Sequence, residues 1–140
     1  MSTDFNEKRE KANYKNYTCT YSIRNAHSER INCIAFLLNG TVITGGSDKM
    51  IRIWSPLDPK PLGSLEEDMP VNHILRMGKT SQQDVTVLYV ASKIIRYLSI
   101  KQQKALFLYR DDNEITAITK INGIAGTDTV ISFGTSNGLV

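Results

Sequence analysis

From Tyr17 onward the chain is a series of short apolar runs separated by turn residues. Tyr17, Cys19, Tyr21 and Ile23 alternate with Thr18, Thr20, Ser22 and Arg24, the period-2 signature of a half-buried strand. Further strands are expected at Ile31 to Leu38, Thr41 to Thr44, Met50 to Trp54, Leu62 to Leu65, Val71 to Met77, Val85 to Ala91, Ile94 to Ile100, Ala105 to Tyr109, Ile115 to Ile121 and Thr129 to Gly134. No helical period interrupts them. Many short strands at this spacing predict an all-β sandwich, barrel or propeller, and internal repeats decide among these.

The chain repeats itself. Arg30-Ile31-Asn32-Cys33-Ile34 returns as Pro70-Val71-Asn72-His73-Ile74 and, more loosely, as Glu114-Ile115-Thr116-Ala117-Ile118. Ser47-Asp48-Lys49-Met50-Ile51-Arg52-Ile53-Trp54-Ser55 aligns with Ala91 to Ser99 at an offset of 44, and Val130 to Val140 aligns with Val42 to Arg52 at an offset of 88. A period near 40 to 45 residues is that of a propeller blade.

The best-formed unit runs from Ala26-His27 through Ile43-Thr44-Gly45-Gly46-Ser47-Asp48 to Ile53-Trp54-Ser55. It resembles the WD-repeat β-propeller family. That resemblance implies four-stranded antiparallel blades and a hydrogen-bonded tetrad of His27, Thr44, Asp48 and Trp54. The chemistry agrees, because an indole N–H only donates, a hydroxyl accepts and passes a donor on, and a carboxylate fixes one imidazole tautomer. Ala26, Lys49 and Ser55 depart from the usual residues without touching the tetrad. In the second unit the His position falls near Glu67, the turn Asp becomes Ser92 and Leu98 replaces the Trp, so apolar packing is expected to hold that blade. In the third, Ser132 supplies the hydroxyl, Ser136 stands in the Asp position and Asp111 lies near the His position.

The expected organisation is a flexible polar arm over 1–16, then a partial propeller over 17–140. Within it lie a closing strand at 17–25, a blade at 26–66, a degenerate blade at 67–110 and a truncated blade at 111–140. The remaining blades would come in cis or from a partner.

A length of 140 residues suits one domain, and 41% hydrophobic with 22% charged residues is ordinary globular composition. No run reaches a membrane span and the first 16 residues are polar, which predicts an intracellular protein, cytoplasmic or nuclear, that does not enter the membrane. Cys19 and Cys33 stand apart with no histidine at a zinc interval, so neither a metal nor a disulfide framework is expected.

Three other readings compete with this one on particular residues. Thr44, His27 and Asp48 invite an acyl-transfer reading, but no Gly-flanked nucleophile elbow accompanies them and the tetrad also accounts for Trp54. Gly78-Lys79-Thr80 ends like a phosphate loop, yet the earlier glycine is His73. A net charge of +3 favours nucleic acid only weakly, because acids interleave the basic arm. The function expected is a noncatalytic scaffold for protein–protein interaction without a cofactor, with a nucleic-acid-binding module as the alternative and an enzyme behind both. The candidate protein-binding rim comprises Arg30, Lys49, Asp68, Lys93, Arg110 and Asn137.

Overall fold

The structure, a computed structural model, describes residues 22–37, 40–56, 58–79, 85–122 and 129–140. Among these residues it contains ten strands and no helix. Strands β1 (Ile31–Phe36), β2 (Val42–Gly46), β3 (Met50–Trp54) and β4 (Pro61–Glu66) form one antiparallel sheet in chain order. Strands β5 (Val71–Lys79), β6 (Val85–Ala91), β7 (Ile94–Ser99) and β8 (Lys104–Arg110) repeat that arrangement. β9 (Ile115–Asn122) and β10 (Thr129–Thr135) pair as a two-stranded third sheet. The expected four-stranded antiparallel blades are therefore present as two complete units followed by this pair.

Alternation and continuous apolar runs set the layers. In β6, Val87 and Tyr89 point into one core with Ile43, Ile51, Val71 and Leu98, whereas Leu88 and Val90 point into another with Ile95 and Ile115. The second blade is buried on both faces, which is why Val87 to Ala91 of β6 reads as an unbroken apolar stretch. Each blade meets the next through its first strand, β1 and β2 packing on β5, and β5 on β9.

All three first strands carry a register shift at the same repeat position. It falls between Ile31 and Cys33, between Val71 and His73, and opposite Ile115 and Ala117. The residues skipped are Asn32, Asn72 and Thr116. A bulge frees a side chain from the alternation and re-aims it. Asn32 uses this freedom, donating to the Val71 carbonyl at 3.2 Å and to Asn72 Oδ1 at 3.2 Å. Its own Oδ1 accepts from Arg30 Nε at 2.8 Å and Ser47 Oγ at 3.2 Å.

Two boundaries differ from the sequence expectation. β2 runs through Gly45 and Gly46, which pair with Cys33 and Ile31 instead of starting the turn. A Cβ on Gly45 would lie 2.5 Å from Val71 Cγ1, so the glycine belongs to the contact between blades. Of the strand expected over 17–25, residues 22–25 form no strand, and Arg24 and Asn25 lie in a turn with Asn25 at φ 56°. The arm over 1–16 and the segment 17–21 lie outside the described residues.

Candidate functional site

The first blade brings His27, Thr44, Asp48 and Trp54 together from four places: the entering loop, β2, the β2–β3 turn and β3. Trp54 Nε1 donates to Thr44 Oγ1 at 2.8 Å, and His27 Nε2 lies 2.7 Å from the same oxygen. His27 Nδ1 is 2.8 Å from Asp48 Oδ1. The indole can only donate and the carboxylate can only accept. One consistent chain follows, with Trp54 donating to Thr44, the Thr44 hydroxyl donating to Nε2, and Nδ1–H donating to Asp48. His27 and Thr44 are buried, and so are the side chains of Asp48 and Trp54.

Asp48 has further partners. Its Oδ2 accepts from Ser28 N at 3.1 Å and Arg52 Nη1 at 3.1 Å, and Oδ1 also accepts from Met50 N at 3.2 Å. Burial alone would raise its pKa. The bonds from His27, Met50 and Ser28, with the field of His27, overcome that and hold it at about 2. The same Arg52 nitrogen donates to the Ala26 carbonyl at 2.7 Å, so one guanidinium fastens the entering loop to the turn acid. Lys49 takes φ 66° to close the turn, the conformation for which glycine is usual. A Cβ on Gly46 would come within 2.6 Å of both His27 Nδ1 and Asp48 Oδ1, so this glycine leaves room for the bond. Arg52, Asn32 and Gly46 were not singled out by sequence reasoning.

The expectation that apolar packing alone holds the second blade is corrected. There Glu67, at the position of His27, accepts a hydrogen bond from the buried Tyr89 hydroxyl on one oxygen. Its other oxygen lies 3.2 Å from Arg96 Nε, an ion pair whose N–H is not aimed for a hydrogen bond. Burial, then the bond and charge of Glu67, push the Tyr89 phenol far above its ordinary value. Register explains why the sequence concealed this network. Thr44 pairs with Arg52, and Tyr89 pairs with Arg96. Arg96 is offset by 44 and Tyr89 by 45, because the β6–β7 turn is one residue shorter than the β2–β3 turn. The residue lost is the one that would carry Asp48; the acid sits on the entering loop instead.

In the third sheet the corresponding residues do other work. Asp111 Oδ2 accepts from the Tyr109 hydroxyl at 3.0 Å and its Oδ1 from Asn113 N at 2.9 Å. Ser136 is held by its backbone, which donates to the Glu114 carbonyl at 2.8 Å.

The antiparallel order places all six rim candidates at one end of the sheets. Arg30 precedes β1, Lys49 and Lys93 sit in the second-to-third strand turns, Asp68 links β4 to β5, Arg110 ends β8 and Asn137 follows β10. All six are exposed. Backbone bonds tie this end together: Glu67 N donates to the Lys49 carbonyl at 2.8 Å and Asp111 N to the Lys93 carbonyl at 2.9 Å. Asn137 Oδ1 accepts from Thr135 Oγ1 and from Leu139 N, building its own turn.

The tetrad face of the first blade looks away from the second. It carries an apolar groove of about 360 Å³ lined by Ile23, Ile34, Phe36, Val42, Trp54 and Pro56. On the second blade the same face, with Tyr89 and Leu98, is buried against the first blade. Cys33 packs between blades with its thiol 3.7 Å from the Gly45 carbonyl; burial pushes its pKa up to about 11, partly offset by that contact. Among the described residues no group of three or more His, Cys, Asp or Glu is placed to hold a metal ion.

The family model for the WD domain, G-beta repeat, matches residues 17–55. No curated protein sequence matches the chain. Among solved structures, the crystal structure of the C-terminal WD40 domain of Sif2 is similar, with a TM-score of 0.58 and 18% identity over 76% of this chain. The match spans 30% of that chain. Strand order, repeat spacing and the structural likeness agree on the fold: the chain has the architecture of β-propeller blades, two of them four-stranded with a two-stranded sheet following, and residues 17–55 match the WD repeat.

Proposed function

We propose that the chain is a noncatalytic scaffold that docks other proteins within a larger intracellular complex, its blades completed by further blades in cis or from a partner. WD40 repeats commonly serve as protein-interaction scaffolds, and the fold is typically noncatalytic. The observation that carries the reading is how fully the tetrad is consumed internally. Thr44 Oγ1 serves both Trp54 and His27, and Asp48 accepts four bonds, one of them from Arg52. Thr44, His27 and Asp48 have the spacing of a nucleophile, base and orienting acid. Yet the Trp54 N–H occupies the oxygen that would attack, and the arrangement fixes a turn. The tetrad face, uncovered by another sheet among the described residues, matches the face that the second blade buries against the first, which makes a blade its fitting neighbour.

The test is site-specific photocrosslinking of the full chain in cells, with the probe at Lys49 or Lys93 on the rim or at Lys60 on the opposite end. The reading expects protein adducts enriched at the rim positions. Adducts dominated by RNA or DNA, whose binding weakens steeply with added salt, would instead establish the nucleic-acid reading. Turnover of an acyl substrate abolished by Thr44→Val in a folded protein would make the site catalytic.

A further inference from the structure

The two outer strands, β4 and β8, occupy the same place in successive blades and are unlike in chemistry. β4 is a poor template for another strand: Pro61 lacks an N–H, Gly63 has no side chain and Ser64 a small polar one, and the Leu62 carbonyl already accepts from Gln103 Nε2 at 3.3 Å. β8 reads Lys-Ala-Leu-Phe-Leu-Tyr-Arg. Leu106, Phe107, Leu108 and Tyr109 are 52, 58, 50 and 43% exposed, and among the described residues β8 pairs only with β7. Sheet edges of this kind accept added strands unless something blunts them. Here one bulge does so in part, since Phe107 pairs with Arg96 and Tyr109 with Ile95, leaving Leu108 between them.

The charges beside β8 say what the edge fits. Lys101 and Lys104 lie at its beginning, while at its end Arg110 is outnumbered by Asp111, Asp112 and Glu114. Reversing the strand sets its basic end against its acidic end, so the pattern is complementary to itself. We propose that β8 is a homotypic pairing edge, at which a second copy of this chain adds its own β8 antiparallel about a two-fold axis near Leu108. In that register Lys104 of each copy opposes Asp112 of the other, and the exposed leucines meet at the centre. The interface is isologous and closes on itself, which yields a dimer and not a fibre. A single strand pair buries less than a standard interface, so the dimer is concentration-dependent.

Sedimentation of the full chain across a concentration series tests this, with circular dichroism as the check on folding. A monomer–dimer equilibrium is expected, and Leu108→Lys should shift it to monomer. Lys104→Asp and Asp112→Lys should each raise the dimer Kd by roughly tenfold, and the two together should restore it. These surface changes keep the test valid even if Leu108→Lys perturbs the strand. Ile34→Lys, in the groove of the first blade, should leave the equilibrium unchanged. A monomer at every concentration overturns the proposal. So does association that survives Leu108→Lys but is lost in Ile34→Lys, which would place the contact on the open blade face, or a charge pair that fails to rescue.

Discussion

Thr44→Val is the sharpest perturbation of the first blade, because it removes one oxygen and leaves the side-chain shape in place. That oxygen accepts from Trp54 Nε1 at 2.8 Å and lies 2.7 Å from His27 Nε2. After substitution both nitrogens stay buried with no partner, each costing about 1–3 kcal/mol. His27 keeps its bond to Asp48 and Trp54 keeps its apolar contacts, so the expected loss is about 2–4 kcal/mol. With a urea dependence of about 2 kcal/mol per molar, the unfolding midpoint drops by roughly 1–2 M. Trp54 is the chain's single tryptophan, so its fluorescence reports on this blade alone. Thr44→Ser retains the oxygen and should recover most of the loss; exposed Thr119→Val should stay within about 0.5 kcal/mol of the parent. If Thr44→Val leaves the fluorescence midpoint where it was, the hydroxyl does not join the two rings and the tetrad is not what holds the blade.

Other outcomes test the neighbouring arrangements. Asp48 has a folded pKa of about 2 against an ordinary 3.8, so its contribution to stability is complete above 3.8 and is lost as the pH falls toward 2. Asp48→Asn should flatten that acid limb in a pH series of thermal unfolding. Gly46→Ala should force His27 and Asp48 apart and cost about 1–3 kcal/mol, seen as faster hydrogen exchange in the β2–β3 turn. Arg96→Met leaves Glu67 without its cation and should cost about 3–5 kcal/mol, more than Glu67→Gln; equal effects in chemical denaturation would show that the ion pair does not matter.

Strand order was legible because each run is short, apolar and punctuated, and the blade because its sequence recurs at nearly constant spacing. The tetrad residues were legible through the motif that groups them. Arg52 was not, because a charged residue in mid-strand reads as a solvated face until the backbone shows that it reaches both Asp48 and Ala26. The Glu67–Tyr89–Arg96 group was hidden by a gapless comparison of repeats: dropping one turn residue puts Leu88, not Tyr89, opposite Thr44. The turn at Arg24 and Asn25 was missed because alternation continues through Ile23 while Asn25 has already turned into the left-handed region. Period-2 patterning reports which side chains are apolar and says nothing of φ.

The bond from Asn32 to Asn72 joins one position of the repeat to the same position of the next, across two bulges that match. A fastener of that kind is inherited whole. Tandem duplication of a stretch of coding sequence delivers a new blade already holding the donor for the blade after it and the acceptor for the blade before, so rings can lengthen without inventing a joint. The same economy exposes them to drift, because a change at this one position loosens two seams. At Thr116, the same position of the third unit, the hydroxyl donates instead to the Gly134 carbonyl of its own sheet at 3.3 Å.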